Sequence, residues 1–367
     1  MPNTTILIAA GGTGGHLYPA IAVAEEIRRE HPDINVIFVG TRDRIEAKEV
    51  PRAGFPFHPI DIHAPRKSFT SLLTFPFKFG KAISDCISLI RKEKPSAMLG
   101  AGAYLSVPVG IAAWLSGVPI ALLEINSIPG SANKLLARFA KKLFLAYTEA
   151  ASNFPSRISA SATVCGTPVR AGLGDERMAP EAARQAFGLD ATCTTILVFG
   201  GSLGARAINE VMKECAGTLA AKGYNILWQT GRSTNVSELQ KQFASVPNVH
   251  ITEYIYNMDQ AYRAADLVVC RAGASSLAEL AQLGKPALLV PWSGAMDNHQ
   301  EHNARSFERD GAAIVLRDNE LRTQFSQTIF ALLEEPERLN TMSKAMKQRD
   351  NPHASKIVAE WLMASHR

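Results

Sequence analysis

Thr4-Thr5-Ile6-Leu7-Ile8-Ala9-Ala10, followed by Gly11-Gly12-Thr13-Gly14-Gly15-His16, sets a short β-rich apolar run against a glycine loop. Leu17–Glu30 then places apolar residues at helical spacing, with charges late. Strand, glycine turn and helix open a βαβ unit. The same order returns at Thr195–Phe199, Gly200-Gly201-Ser202-Leu203-Gly204-Ala205 and Ala207–Ala221, a weak repeat on the scale of a domain.

Working outward, strands are expected at Val36–Val39, Phe57–Ile62, Ala97–Gly100, Ile120–Leu123 and Lys142–Ala146. In the second half they are expected at Asn225–Gln229, Val249–Thr252, Leu267–Cys270, Ala287–Val290 and Ala312–Val315. Strands alternating with helices give parallel sheets covered on both faces. The expected class is α/β: two doubly wound, Rossmann-like parallel-sheet domains facing across a cleft, with ligands at the carboxyl ends of the strands. Residues 1–165 form the first domain, 166–190 a linker containing Pro168, Gly172, Gly174 and Pro180, and 191–350 the second. Residues 351–367 hold a final helix, Ala354–Ala364, able to close the structure or cross back over it.

The length of 367 residues fits two domains at ~150 residues each. A hydrophobic share of 46% and a charged share of 20% support sizeable cores. The five cysteines are scattered without a C-x-x-C, which excludes a disulfide scaffold and a zinc ribbon and suits a reducing compartment. No basic residue precedes the first apolar run, so it does not read as a signal peptide. Pro95–Leu123 carries no charge, yet Pro108, Gly110, Gly117 and Pro119 divide it into a buried strand, helix and strand rather than a membrane span.

Net charge is +5, held unevenly: residues 1–162 carry 18 Lys/Arg against 12 Asp/Glu, while the remainder is nearly balanced. The basic surplus points to an anionic partner on the first half. Arg66–Lys81 mixes four phenylalanines with four cations, and Ser131–Lys142 sets Lys134, Arg138, Lys141 and Lys142 beside Leu135, Leu136 and Phe139. Both suit an anionic phospholipid surface, and equally a core-facing stripe with solvated cations. No stacking or helix-turn-helix signature points to nucleic acid.

Glycine turns ahead of helices bring backbone N–H groups and a partial positive charge to phosphate. The dinucleotide fingerprint fails, because its third glycine would fall on Leu17 and no acid follows Val36–Val39. The G-x-x-x-x-G-K-[ST] loop and any D-x-D are absent. A diphosphate held by amides and cations is left. Arg271-Ala272-Gly273-Ala274-Ser275-Ser276 is a third strand–glycine–helix turn, and Glu279 on its helix suits the two hydroxyls of a ribose. His299 and Gln300 suit sugar hydroxyls; His299-x-x-His302 lacks the further ligands of a zinc site.

Gly11–His16 with Leu17-Tyr18-Pro19-Ala20, then Gly166-Thr167-Pro168-Val169-Arg170, Gly200–Arg206, and Cys270-Arg271 through Glu279, stand in one order that resembles the MurG family. These glycosyltransferases add N-acetylglucosamine to lipid I. The resemblance implies a GT-B fold, UDP-N-acetylglucosamine as donor, lipid I as acceptor, inversion at the anomeric carbon, and neither metal nor other cofactor. It also implies peripheral attachment at the cytoplasmic face of the membrane and contact with other cell-wall enzymes. By position it implies donor contacts at Arg170, Ser202, Ile255 (uracil), Ala274, Ser275, Ser276, Leu277, Glu279 (ribose), His299 and Gln300 (sugar). Thr13, Gly14, Gly15, His16 and Asn126 would face the reacting centre. The sequence departs from the family pattern at Leu123, Ile125, Leu203 and His299. For the catalytic base, His16 is the first candidate and Glu124 the second. The same frame also suits a UDP-N-acetylglucosamine 2-epimerase, a glycolipid synthase, or a non-enzymatic nucleotide-sugar sensor.

Overall fold

The computed structural model describes residues 4–62, 69–170, 172–173 and 178–365, and of residues 69–73 and 296 the backbone alone. Arg66–Ser68, and the side chains of Phe69–Leu73 from the aromatic–basic segment, lie outside the described residues. So do residues 171 and 174–177 of the expected linker.

The chain divides into two compact units, Met1–Ala171 with Asn351–Arg367, and Gly172–Asp350. The first is built on seven strands: β1 Thr5–Ala9, β2 Asn35–Thr41, β3 Phe57–Ile60, β4 Ala97–Gly100, β5 Ile120–Glu124, β6 Lys142–Leu145 and β7 Thr163–Val164. All pair in parallel, in the order β3-β2-β1-β4-β5-β6-β7. β1, β4 and β5 are buried along their whole length, as central strands covered on both faces must be. The helix Ala354–Ala364 packs on the helix Gly14–Glu30, so the end of the chain completes this unit. Two-residue β7 was absent from the expected strands; so short a segment carries no readable alternation.

The second unit carries β8 Thr195–Phe199, β9 Asn225–Gln229, β10 Val249–Thr252, β11 Leu267–Cys270, β12 Ala287–Leu289 and β13 Ala313–Val315. Its order is β10-β9-β8-β11-β12-β13, again all parallel. In each sheet the winding reverses beside the first strand, between β1 and β4 and between β8 and β11. Loops leaving the carboxyl ends of those strands diverge there and open a crevice. The glycine loops follow β1 and β8, and the Arg271–Gly273 turn follows β11.

Candidate active site

In the first unit Gly12 has φ +81°, the left-handed conformation that favours glycine. Its N–H donates to Glu46 Oε2 at 3.0 Å. The other carboxylate oxygen of Glu46 accepts from Thr41 N at 3.0 Å and Thr41 Oγ1 at 2.6 Å. Glu46 is wholly buried, and neither Gly11 nor Gly40 has space for a side chain against it. Thr13, in extended conformation, occupies the N-cap position of the helix that Gly14 and Gly15 begin, without a side-chain capping bond. Half-buried His16 lies against the loop that follows β4: a Cβ on Gly102 would stand 2.7 Å from its Nδ1. Two loops thus fix the imidazole between them.

Glu124, at the end of β5, is 1% exposed. Its carboxylate accepts from Asn126 N (3.0 Å), Asn126 Nδ2 (3.2 Å), Gly130 N (3.1 Å) and Asn133 Nδ2 (2.9 Å). Burial pushes this carboxyl above its ordinary range, and those hydrogen bonds draw it part of the way back. Glu124 therefore ties down the turn that carries Asn126. Arg170 belongs to the first unit and stacks on the Tyr18 ring, 4.8 Å from its centroid.

In the second unit Gly201 also has φ +81°, matching Gly12 in place and conformation. Here the loop is held by its carbonyls. Gly201 O accepts from Gln229 Nε2 at 3.0 Å, Ser202 O from Arg232 N at 3.3 Å, and Leu203 O from Ser233 N at 3.2 Å. The N–H groups of Gly201, Ser202 and Leu203 donate to no group among the described residues. Gly204, φ +84°, presses on the Thr230 backbone, where a Cβ would overlap the carbonyl oxygen. That carbonyl is itself gripped by Asn209 Nδ2 at 2.8 Å. Gln229 Oε1 accepts from Ile255 N at 3.0 Å and so ties the Ile255 backbone to the end of β9.

Gly273 occupies the N-cap position of the helix Ala274–Leu283, so Ala274, Ser275 and Ser276 form the first turn at its positive end. Buried Leu277 anchors that turn. Tyr262, fully buried, donates its hydroxyl to Glu279 Oε2 at 2.8 Å and so orients that carboxylate. The helix His299–Arg309 begins after two left-handed residues, Asp297 and Asn298 (φ 50° and 54°), and Gln300 Oε1 accepts from Trp292 N at 3.0 Å. Such paired left-handed residues without glycine are strained and concentrate where ligands bind. Arg271 Nη1 donates to Asp318 Oδ1 at 2.6 Å, so its charge is already paired.

A cavity of about 830 Å³ lies within this unit. It gathers Ser202, Ser276 and Gln300 with Arg206, Arg271, Trp292, Asp318 and Arg322. Ile255, Ala274, Ser275, Leu277, Glu279 and His299 are not in its wall. The residues that sequence reasoning missed are props: Glu46, Gln229, Asn209 and Tyr262. A polar residue closing the apolar run Asn225-Ile226-Leu227-Trp228-Gln229 was the one readable hint.

The chain matches the glycosyltransferase family 28 N-terminal domain over residues 6–145 and the family 28 C-terminal domain over residues 195–357. A relative from Chlorobaculum parvum, named UDP-N-acetylglucosamine–N-acetylmuramyl-(pentapeptide) pyrophosphoryl-undecaprenol N-acetylglucosamine transferase, is 40% identical over 98% of this chain and 98% of its own length. The crystal structure of Acinetobacter baumannii MurG superposes with a TM-score of 0.76 at 29% identity, covering 98% of this chain and 99% of that one. A UDP-N-acetylglucosamine 2-epimerase from Neisseria meningitidis reaches a TM-score of 0.69 at 17% identity, over 98% of this chain and 100% of its own, which is likeness of fold alone. With both lobes matched in order and full-length identity to such relatives, the chain belongs to glycosyltransferase family 28 and, within it, to the MurG family.

Proposed function

We propose that the chain transfers N-acetylglucosamine from UDP-N-acetylglucosamine to the muramoyl 4-hydroxyl of undecaprenyl-diphospho-muramoylpentapeptide (lipid I), giving lipid II and UDP with inversion. The observation that carries this reading is 40% identity to a transferase of that name, spread over nearly the whole of both chains. The second-unit loop supports it: a loop held by its carbonyls turns amides outward to a diphosphate.

The reaction is one in-line displacement. An acceptor oxygen lone pair forms a bond to the anomeric carbon as the bond from that carbon to the β-phosphate oxygen breaks, and the electron pair leaves on UDP. The acceptor proton passes to a base. His16 suits that role: it sits half-exposed at a helix mouth, held by two loops. Glu124 has its oxygens engaged by four donors and serves better to place Asn126. Thr13, Gly14 and Gly15 would line the acceptor side. The Ser202 loop and the amides of Ala274–Ser276 would stabilise charge on departing UDP. Glu279, oriented by Tyr262, would accept from the ribose hydroxyls, and His299 and Gln300 would meet the sugar.

Membrane docking is part of the same proposal. Among the described residues no helix is long and apolar enough to cross a membrane. Phe77 is 81% exposed, and Trp114, Leu115 and Leu135 are exposed on helices of the first unit packed in sequence against one another. Lys78, Lys81, Arg138 and Lys141 are exposed on the same or adjoining segments. Exposed aromatics among cations suit the cytoplasmic, anionic leaflet where an undecaprenyl substrate is anchored. Pelleting with anionic vesicles at low salt, lost at high salt, is the expected result.

Mixing the protein with UDP-N-acetylglucosamine and a lipid I analogue tests the main reading. UDP release only when the muropeptide lipid is present supports it. Release with diacylglycerol, sugar isomerisation without acceptor, or binding without turnover would favour the glycolipid synthase, the epimerase or the sensor.

A further inference from the structure

The two glycine loops match in sequence position and in the conformation of Gly12 and Gly201, yet they are secured through opposite poles of the peptide group. In the second unit the supports are donors, and they take carbonyls. In the first the support is Glu46, an acceptor, and it takes an amide. A loop that binds phosphate needs its amides free and no negative charge behind them. Gly12 N–H is already bonded to a carboxylate, and that carboxylate is wholly buried, its hydrogen-bond partners being the uncharged groups of Gly12 and Thr41. Little solvent stands between it and whatever rests on the loop.

We propose that Glu46 is a positioning residue that makes the first-unit glycine loop a seat for an uncharged, hydroxyl-bearing ligand and bars phosphate from it. The carboxylate joins the end of β2 to the turn after β1, and through that turn it fixes the start of the helix on which His16 is the third residue. The proposal deepens the proposed function and rests on it for one point, that the neutral ligand is the sugar ring of the acceptor. It follows that the diphosphate of the acceptor lies away from this loop, and that the loop receives the ring carrying the attacking hydroxyl.

The test uses the full chain labelled with ¹⁵N-glycine and saturated with UDP, into which inorganic pyrophosphate is titrated while the Gly12, Gly14 and Gly15 amide resonances are followed. The expected result is no movement in the wild-type chain. In Glu46→Gln, which removes the charge and turns a donor toward one of the two supports, these resonances should shift with an affinity about tenfold or more above any wild-type response. Saturable shifts at Gly12 in the wild-type chain overturn the proposal, and so does a folded Glu46→Gln chain that gains no site. If Glu46→Gln does not fold, the wild-type titration decides alone. Acceptor turnover adds a second readout, in which Glu46→Gln lowers kcat about tenfold while the KM for UDP-N-acetylglucosamine holds. Failure of the transferase reading would show separately, as absent UDP saturation or absent turnover in the wild-type chain, with the loop titration still readable.

Discussion

The loop after β1 and the loop after β8 are near-copies in sequence, Gly-Gly-Thr-Gly-Gly against Gly-Gly-Ser-Leu-Gly. One is propped by a buried carboxylate, the other by a glutamine, two backbone amides and a serine hydroxyl. The lesson is that a glycine motif specifies a backbone path, and the residues beneath it specify which ligand that path accepts. Duplication of a fold therefore need not duplicate a binding site.

The largest expected effect breaks or keeps the division between the loops. His16→Ala should lower kcat by ~10²–10⁴ while UDP affinity stays within about twofold, because the imidazole belongs to the acceptor side. Single-turnover kinetics and calorimetry with UDP measure the two quantities. A large loss of UDP affinity with kcat kept would place His16 on the donor and dissolve the contrast.

Next come the glycines. Gly204→Ala should cost ~3 kcal/mol in urea unfolding, since it meets both the left-handed penalty and overlap with Thr230. Gly201→Ala and Gly12→Ala should cost only ~1–2 kcal/mol, because both have φ +81° and no hard clash. Equal losses at Gly204 and Gly201 would mean that the second loop is looser than its backbone contacts require.

The smallest effect compares the cores beneath the loops. Burial pushes the thiols of Cys86 and Cys165 in the first unit up to about 12, and that of Cys215 in the second up to about 11, from an ordinary 9.0. Folded pKa values lie above unfolded ones, so this contribution is complete below pH 9 and is lost as pH rises toward 11–12. At pH 10, Cys86 and Cys165 should each lower stability by ~1.4 kcal/mol relative to pH 8. Urea midpoints of Cys86→Ala and Cys165→Ala at the two pH values check this, since each variant should lose that share of the pH dependence.

The sheet was legible because periodicity and glycine punctuation are local signals. Thr195–Phe199, Asn225–Gln229, Val249–Thr252 and Leu267–Cys270 are strands over the residues expected, and Pro95–Leu123 resolves into strand, helix and strand. The props were not legible. In Arg44-Ile45-Glu46-Ala47-Lys48-Glu49, one glutamate is wholly buried and its neighbour three residues on is partly exposed and paired with Arg52, and nothing local separates them. Burial of Glu46 depends on Gly11, Gly12, Gly40 and Thr41 meeting around it, which is tertiary information. Glu124 likewise reads as a candidate base until Asn126, Gly130 and Asn133 are seen to occupy its oxygens.

The helix Ala354–Ala364 has a consequence for how the protein is made. Its partner is the helix Gly14–Glu30, so a lobe begun before Gly172–Asp350 is closed only by residues synthesised after that stretch. The lobe spanning Gly172–Asp350 is contiguous and can finish folding while its predecessor still waits with an uncovered helix face. A nascent chain stalled near residue 350 should therefore present a protease-resistant second half joined to a susceptible first half, and supplying residues 351–367 as a separate peptide should restore resistance to the first.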